Sequence, residues 1–233
     1  MLRLESVAMS YGHGRDVLHD INLTLQPGEF VFVMGPSASG KTSLLRLMGL
    51  IQMPSSGRFS LFNRDVADLG AAEISGLRRR IGMVFQDGRL LEHLSAFDNI
   101  ALPLRINGAG NGARDEQIGG VVAEMMGWLG LADLTAALPR HLSMGQRQLI
   151  AVARAVIARP GLLLCDEPTA HVDDKFARRV MHLLAQLCKL GSTVVLSTHD
   201  DDLVDRYPHP ILRMSHGRLS RPAVAAAAMA AAD

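Results

Sequence analysis

The segment 35–42 restricts what this chain can fold into more than any other, and it reads G-P-S-A-S-G-K-T. The apolar run 30–34 precedes it, opened by the turn pair Pro27-Gly28, and residues 43–48 after it are good helix formers without proline. This order predicts a buried strand, a glycine-rich loop and a helix. The backbone N–H groups of such a loop and the N-terminus of the helix together form a binding site for an anion.

Two side chains at the end of this motif add chemistry to the anion site. Lys41 can reach the β- and γ-phosphates of a nucleotide, and the Thr42 hydroxyl can ligate Mg²⁺. A chance match in a glycine-rich turn is the alternative, and the flanking strand and helix argue against it. We conclude that the chain binds a nucleotide. The candidate binding residues of this loop are Gly35, Pro36, Ser37, Ala38, Ser39, Gly40, Lys41, Thr42 and Ser43.

Composition narrows the class of protein. The 233 residues suffice for one α/β domain with an inserted subdomain, and 48% hydrophobic with 20% charged residues is typical of a folded globular protein. A net charge of +1 indicates neither a nucleic-acid surface nor a polybasic membrane anchor. We expect Cys165 and Cys188 to be buried free thiols in a reducing compartment.

Targeting and membrane segments are not expected. Arg3 and Glu5 interrupt the N-terminus before a secretory signal could form. No apolar segment approaches the roughly 18 to 20 residues that a membrane helix requires. The alanine-rich tail, 221–233, is expected to be frayed or loosely helical. We therefore expect a soluble chain that reaches a membrane only through a partner.

Short segments of alternating polarity predict strands on both sides of the phosphate loop. They lie at 2–7, 21–25 and 58–62, the last of them after a turn at 54–57. Tyr11 lies between the first two, and its ring could either stack on an adenine or cap a sheet edge. The three arginines 78–80 fit a solvated helix end better than a nucleic-acid site.

Three further apolar segments are predicted to be strands that lead to polar side chains. The segments are 81–86, ending at Gln86, 161–167, ending at Asp166-Glu167, and 192–198, followed by His199. Ligands bind beyond the carboxyl ends of strands in open α/β sheets, so these side chains are site candidates. Asp166 suits a Mg²⁺ partner, and Glu167 suits a base or orienting group for an attacking water. An acidic strand end that only faces solvent is the weaker alternative, because two buried adjacent carboxylates are costly.

The chain between these strands has a different character. Residues 87–140 show helical patterns and no further strand, with a flexible loop predicted at 107–112. We expect a helical subdomain at about 87–145, inserted into the α/β core. One continuous helix face is predicted for Ile118, Val121, Val122, Met125, Met126 and Leu129.

Two more helix starts carry site candidates. Ser143 and Gln146 have capping-box spacing at the start of a helix, and a helix N-terminus is also an anion site. The pair Asp173-Asp174 is predicted to start another helix, which Gly191 ends.

These motifs occur in the order found in the ATPase subunits of ABC transporters, and the chain resembles that family from Leu2 to about Leu219. The resemblance rests on 35–42, Gln86, 142–146 (L-S-M-G-Q), 162–167, Asp173 and His199. Within the family, the segments 81–87, 99–104, 153–156 and 173–174 are most similar to FtsE-type cell-division ATPases. Lipoprotein-releasing and macrolide-exporter ATPases are similar at the same positions.

The resemblance implies a fold. We expect a P-loop NTPase core, RecA-like and of the ABC ATPase type, with an N-terminal antiparallel β subdomain and the inserted helical subdomain. The single ABC domain would span 1–220.

The resemblance also implies roles for the site residues. Two copies would form a head-to-tail homodimer with two ATP molecules between them, each held by the phosphate loop of one copy and by Ser143 and Gly145 of the other. Gln146 and Asp173 are further candidates for nucleotide binding. The roles implied at the phosphate side are adenine stacking by Tyr11, Mg²⁺ binding by Thr42, Gln86 and Asp166, water polarisation by Glu167, and γ-phosphate sensing by Gln86 and His199.

A membrane partner is implied as well. A groove beside Gln86, lined by Leu90, Leu91, Leu94 and Phe97, would receive a cytoplasmic helix of an integral membrane protein. For an FtsE-like chain that partner would be FtsX-like, at the cytoplasmic face of the bacterial inner membrane, and no nucleic acid would be bound.

Two positions depart from the family pattern. Met144 replaces the first glycine of L-S-G-G-Q, and Ala170-His171-Val172 precedes Asp173 where small residues or asparagine with leucine are usual. Both changes bear on the rate of ATP turnover, and His171 would lie near the dimer interface.

A nucleotide-dependent scaffold is an alternative function that Glu167 disfavours. A soluble ABC protein acting on DNA or ribosomes is disfavoured by the single cassette and the near-neutral charge.

Overall fold

The computed structural model describes residues 1–12, 14, 16–108, 113–170 and 172–220, with the backbone alone at 113–115. The predictions for His171, for the tail 221–233 and for most of the loop 107–112 lie outside these residues. The strands are β1 (Leu2–Ser10), β2 (Asp16–Leu25), β3 (Phe30–Met34), β4 (Ser56–Leu61), β5 (Arg64–Asp65), β6 (Ile81–Val84), β7 (Leu162–Asp166), β8 (Thr193–Thr198), β9 (Ile211–Ser215) and β10 (Arg218–Ser220). The helices are α1 (Lys41–Met48), α2 (Ala71–Arg78), α3 (Ala96–Asn107), α4 (Ala113–Leu129), α5 (Met144–Val156), α6 (Asp174–Lys189) and α7 (Asp201–Arg206).

The larger sheet brings the predicted site strands side by side. Its order is β10-β9-β3-β8-β7-β6, and all neighbours are parallel except β10. The register pairs Met34 with Thr198 and Asp166 with Ser197. The carboxyl ends of β3, β8 and β7 therefore meet at one edge, where ligands bind in open sheets of this kind.

A second sheet, in the order β2-β1-β4-β5, is antiparallel and covers one face of the larger sheet. Alternate side chains of β3 point into two separate cores. Val31 and Val33 pack with α1 and the antiparallel sheet, whereas Phe30 and Phe32 pack with the helices on the other side. The strands β3, β7 and β8 are consequently buried on both faces, as their apolar runs predict.

The helices α3 and α4 lie within the segment 87–145, α5 packs against α3, and the described part of 87–140 contains no strand. In α4, Val122, Met126 and Leu129 are buried. Val121 is 47% exposed, so the predicted face was wrong at that position. Ile118 and Met125 are partly buried and pack against the same core, so the other predicted positions do share one face.

Two predicted boundaries differ from the structure. The strand β6 ends at Val84, so Gln86 lies beyond the sheet in the following loop. The predicted turn at 54–57 ends early, because β4 already begins at Ser56. Gly57 lies inside this strand with φ +84°, and a Cβ there would clash with the Ser6 carbonyl, where the pairing of β1 with β4 shifts register. Gly57 therefore lies in a β-bulge and not in a turn.

The two cysteines lie in different surroundings. Cys165 in β7 is fully buried, and this burial, together with the neighbouring Asp166 charge, raises the pKa of its thiol. Cys188 in α6 is only half-buried and lies 3.0 Å from the Gly28 carbonyl, so its predicted burial was only partly right. Both thiols are free.

Two of the three arginines in the run 78–80 make contacts within the chain. Arg78 donates to the Leu50 carbonyl, and the Arg80 guanidinium lies 3.9 Å from the centre of the Phe62 ring. Such contacts agree with a helix end and not with a nucleic-acid surface. Within the described ranges, no helix is both long enough and apolar enough to cross a bilayer.

Candidate functional site

The loop between β3 and α1 needs its glycines. A Cβ at Gly35 would clash with the Met214 carbonyl of β9. Gly40, the residue before α1, has φ +109°, which L side chains rarely adopt. The loop therefore closes tightly over the end of β3, and α1 begins at Lys41 with the N–H groups of its first turn free of helical partners.

Polar groups inside this loop point to an anion. The Lys41 ammonium donates to the carbonyls of Gly35 at 2.7 Å and Pro36 at 3.2 Å, which places it over the loop. The Ser39 hydroxyl is buried and has no hydrogen-bond partner among the described residues. An unpartnered buried hydroxyl, a lysine and a helix N-terminus converge here, so the loop residues fit a phosphate group.

A buried carboxylate connects this loop to the neighbouring strands. Asp166, at the end of β7, is 4% exposed. Thr42 of α1 donates to its Oδ2 at 2.7 Å, and Ser197 of β8 donates to its Oδ1 at 2.5 Å. Both carboxylate oxygens are thus satisfied, which a buried charge requires.

Ser197 was not among the sequence-predicted site residues. A signal for it existed, because it is a polar residue that follows the apolar run 194–196 and lies one residue before the carboxyl end of the strand. The parallel register of β7 and β8 then places it beside Asp166.

Glu167 follows Asp166 in an unusual backbone conformation. Its φ is +51°, its N–H donates to the Ser197 carbonyl at 3.0 Å, and only 10% of its side chain is exposed. The Oε1 atom lies 2.7 Å from Nδ1 of His199, which follows β8. Non-glycine residues with positive φ cluster at functional sites, and here the strain aims a carboxylate along the sheet edge towards a histidine.

These groups line an open cleft of about 700 Å³. Gln86, Glu167, Thr198, His199 and Asp200 are among its walls. Gln86 also lines an adjoining cleft of about 330 Å³ with Thr42, Asp166 and Met144. The structure therefore brings the three predicted catalytic residues together, and Gln86 connects them to the predicted metal-binding residues.

Tyr11 lies at the other side of α1. Its hydroxyl is 3.1 Å from the Ser43 Oγ atom, and Arg46 lies 3.5 Å from the same hydroxyl. The side chain is 38% exposed. The ring thus lies close to the phosphate loop and just after β1, so both predicted roles, stacking on a base and capping a sheet edge, stay open.

The second group of predicted residues lies apart from the phosphate loop. Ser143, Gly145, Gln146 and Asp173 share a separate cleft of about 420 Å³. Ser143 and Gln146 form the predicted capping box, with Ser143 Oγ accepting from the Gln146 N–H and Gln146 Oε1 from the Ser143 N–H. Asp173 caps α6 by accepting from the Phe176 N–H at 2.9 Å. Only Met144, 63% exposed, extends from this segment to the cleft of Thr42 and Asp166.

Comparison with known proteins fits this geometry. The family model described as ABC transporter matches residues 18–170, which is most of the chain. The chain belongs to the ABC transporter family. It is an ATP-binding subunit of that family, and ABC ATPases of this kind hydrolyse ATP.

Relatives of the ABC subunit are similar along nearly its whole length. The cell division ATP-binding protein FtsE of Escherichia coli is 37% identical over 219 residues, covering 94% of this chain and 97% of the relative. FtsE of Mycobacterium tuberculosis is 39% identical over 222 residues, covering 95% of each chain. The expected similarity to FtsE-type ABC ATPase subunits is thereby confirmed.

A solved ABC cassette confirms the fold. This ATP-binding cassette, a dimer in a post-hydrolysis state with ADP and Pi, superimposes with a TM-score of 0.87 at 34% identity, covering 95% of this chain and 97% of the neighbour. The expected P-loop core of ABC type is therefore correct. The antiparallel sheet and the helices α3 to α5 lie on opposite faces of its parallel sheet.

Proposed function

We propose that the chain acts as a homodimeric, FtsE-like ATPase that couples an ATP-driven dimer cycle to an integral membrane partner in bacterial cell division. The observation that carries the proposal is the paired carboxylate at the end of β7. Asp166 is fixed to the phosphate loop through Thr42, and Glu167 is aimed at His199. A protein that only bound nucleotide would not require the second carboxylate.

We assign the domain organisation in the same terms. Residues 1–220 form one ABC ATPase domain, in which the helical subdomain of about 87–145 is inserted between β6 and β7. The core supports one domain, since α3, α4 and α5 share a continuous apolar cluster with β3, β7 and β8.

ATP binding is assigned to the loop 35–43. The Lys41 ammonium and the free N–H groups at the start of α1 would hold the β- and γ-phosphates, and the unpartnered Ser39 hydroxyl adds a further polar contact. Tyr11, beside Ser43, would stack on the adenine.

The residues at the end of β7 fit Mg²⁺. Thr42, Gln86 and Asp166 would hold the ion, since all three present oxygen donors around one cleft. Mg²⁺ in nucleotide sites is usually bound by only one or two carboxylates, together with phosphates and water. This agrees with the described part of the chain, which holds no cluster of three or more His, Cys, Asp or Glu able to bind a metal. When bound, Mg²⁺ supplies charge neutralisation at the phosphates.

Hydrolysis is assigned to the groups of the larger cleft. Glu167 would accept a proton from the attacking water, and its strained backbone holds the carboxylate in place for that step. His199 hydrogen-bonds to this carboxylate and would sense the γ-phosphate together with Gln86.

The separate cleft of Ser143, Gly145, Gln146 and Asp173 is assigned to the ATP held by a second copy. Among the described residues that line this cleft, none belongs to the phosphate loop 35–42, so we expect the nucleotide there to come from another copy. The N-terminus of α5, with its partial positive charge, suits the terminal phosphate of that nucleotide. A related cassette is dimeric, which supports this assembly.

The membrane partner would dock beside Gln86. Leu91 is 38% exposed, and Leu90 and Phe97 are only partly buried although they pack against the core. Together with Leu94 they offer an apolar surface next to a predicted catalytic residue. We propose an FtsX-like partner, by analogy with the FtsE relatives, and a location at the cytoplasmic face of the inner membrane.

Isolation of the protein from native membranes, followed by mass spectrometry, tests the identity of this partner. A many-spanning permease in place of a single small membrane protein would refute the FtsX-like assignment.

Replacement of the second carboxylate tests the proposed activity. Glu167→Gln should lower ATP turnover by about a hundredfold to ten-thousandfold, the usual contribution of a general base, with ATP binding retained. Because hydrolysis no longer opens the dimer, size-exclusion chromatography with ATP should show a dimer. The exposed Glu124 supplies a matched control, and Glu124→Gln should behave as the wild type. An unchanged monomer population or unchanged turnover for Glu167→Gln would refute the proposal.

A further inference from the structure

The loop between Gln86 and α3 contains a strained turn. Gly88 has φ +69° and Arg89 has φ +42°, so two consecutive residues adopt the left-handed conformation. Glycine tolerates this conformation, but arginine does not adopt it readily. Such a turn persists only where its surroundings hold it.

Arg154 of α5 supplies that hold. One of its terminal nitrogens, Nη2, donates to the Gly88 carbonyl at 2.8 Å, and the other, Nη1, donates to the Arg89 carbonyl at 2.9 Å. The planar guanidinium thus bridges the carbonyls of both left-handed residues. Burial lowers the pKa of Arg154, although an arginine remains charged at any pH in the cell. Because this partly buried guanidinium donates to two backbone carbonyls, we infer that it holds the backbone of the turn in place.

Asn99 of α3 holds the remainder of the same loop. It is fully buried, its Oδ1 accepts from the Leu91 N–H at 2.8 Å, and its Nδ2 lies about 3 Å from the carbonyls of Leu91, Leu94 and Ser95. Arg154 Nη1 also lies 3.4 Å from Asn99 Oδ1, which joins the two side chains. One arginine and one asparagine therefore determine the course of the loop from 88 to 95.

The turn is connected directly to the residue before Gln86. The Gly88 N–H donates to the Phe85 carbonyl at 2.9 Å, and the Arg89 guanidinium lies 4.3 Å from the centre of the Phe85 ring. Gln86 and Asp87 are the only residues between these contacts. Since the turn closes back onto Phe85, its position sets the direction in which Gln86 projects towards Thr42 and Asp166.

We propose that Arg154, together with Asn99, is a positioning residue for ATP hydrolysis that holds Gln86 at the nucleotide site through the 88–89 turn. This inference rests on the proposed function, because it requires Gln86 to act at the γ-phosphate. It also connects α5, which Ser143 caps, to the loop that leads to the proposed docking surface. A change at either end would reach Gln86 through the same two side chains.

The first test is Arg154→Lys, because a lysine ammonium cannot span two carbonyls as the guanidinium fork does. We expect the kcat for ATP to fall between about tenfold and a hundredfold, the range that a displacement of about 1 Å produces. The Kd for Mg-ATP should change by less than about twofold. The exposed Arg178 in α6 is the matched control, and Arg178→Lys should leave both quantities unchanged.

A double-variant cycle separates positioning from general destabilisation. In a Gln86→Ala background, Arg154→Lys should cause no further loss of kcat, because the residue that it positions is already gone. Losses that multiply, a Kd that rises in parallel, or an unchanged kcat for Arg154→Lys would each overturn the inference.

Gly88→Ala is a second test of the position of the 88–89 turn, and it can be used if Arg154→Lys does not fold. A Cβ at Gly88 would meet nothing closer than 3.7 Å, yet φ +69° is strained for alanine, so the turn should shift without a clash. The expected kcat loss should again vanish in the Gln86→Ala background, and a loss that persists there overturns the inference. Wild-type turnover no higher than that of Lys41→Ala would refute the proposed function itself, and the inference with it.

Discussion

The carboxyl edge of the parallel sheet and the N-terminus of α5 both carry predicted nucleotide-binding residues, but the two regions use their polar groups differently. At the sheet edge, side chains from distant parts of the chain bond to one another, as Thr42 and Ser197 do around Asp166. At the start of α5, Ser143 and Gln146 bond only to each other's backbone.

This difference indicates how the work is divided between copies of the chain. The sheet edge is preorganised by one chain, because the register of β7 and β8 places Asp166 beside Ser197 and a hydrogen bond joins Asp166 to Thr42 of α1. The N-terminus of α5 is locally complete but faces a cleft without a phosphate loop of its own. It gains a ligand only when a second copy brings one, which is the assembly that we propose.

Loss of the lysine at the sheet edge should have the largest effect on binding. In Lys41→Ala, the affinity for ATP should fall by about a hundredfold or more, since a hydrogen bond to a charged group contributes up to about 3 kcal/mol. Isothermal titration calorimetry measures this directly. The exposed Lys189 at the end of α6 is the control, and Lys189→Ala should bind ATP as the wild type does. Micromolar affinity retained by Lys41→Ala would contradict the assignment of the loop.

A pair of serine substitutions compares the stability of the two regions. Ser197→Ala leaves one oxygen of the buried Asp166 without its donor and should lower the free energy of unfolding by about 1–3 kcal/mol. Ser143→Ala removes a helix cap and should cost about 1 kcal/mol. Urea unfolding of the isolated chain measures both, with the exposed Ser75→Ala as a control near zero. A larger loss for Ser143→Ala than for Ser197→Ala would contradict the view that the sheet edge is the preorganised half.

The sequence predicted correctly those parts of the site that depend only on neighbouring residues in the chain. The strand before the phosphate loop matches 30–34 at both ends, and Asp166, Glu167 and His199 lie at strand ends as predicted. These positions follow from short apolar runs and from the rule that ligands bind beyond the carboxyl ends of parallel strands.

Contacts between distant residues were not accessible in the same way. The hydrogen bond between Thr42 and Asp166 joins residues 124 positions apart, and its existence depends on strand order, which periodicity does not reveal. Arg154 lies in the segment 153–156 that is similar to FtsE-type ATPases, but its local sequence does not show that it binds a turn 65 residues earlier in the chain. Gly57 likewise looked like a turn residue, because the bulge that requires it forms against β1 and leaves no trace in its own segment.

The smallest predicted effect concerns two glutamines of α5 that the structure treats differently. Gln146 uses its amide in the capping box, whereas Nε2 of Gln148 is buried and has no hydrogen-bond partner among the described residues. A buried donor without a partner reduces stability, so Gln148→Met, of similar shape, should raise the free energy of unfolding by up to about 1 kcal/mol. Gln146→Met should lower it by about 0.5–1 kcal/mol, because the Ser143 N–H loses its acceptor. Thermal unfolding of both variants measures the contrast. If both substitutions lowered the free energy of unfolding equally, the Gln148 amide would have to be hydrogen-bonded in solution. The start of α5 would then be as fully hydrogen-bonded as the sheet edge.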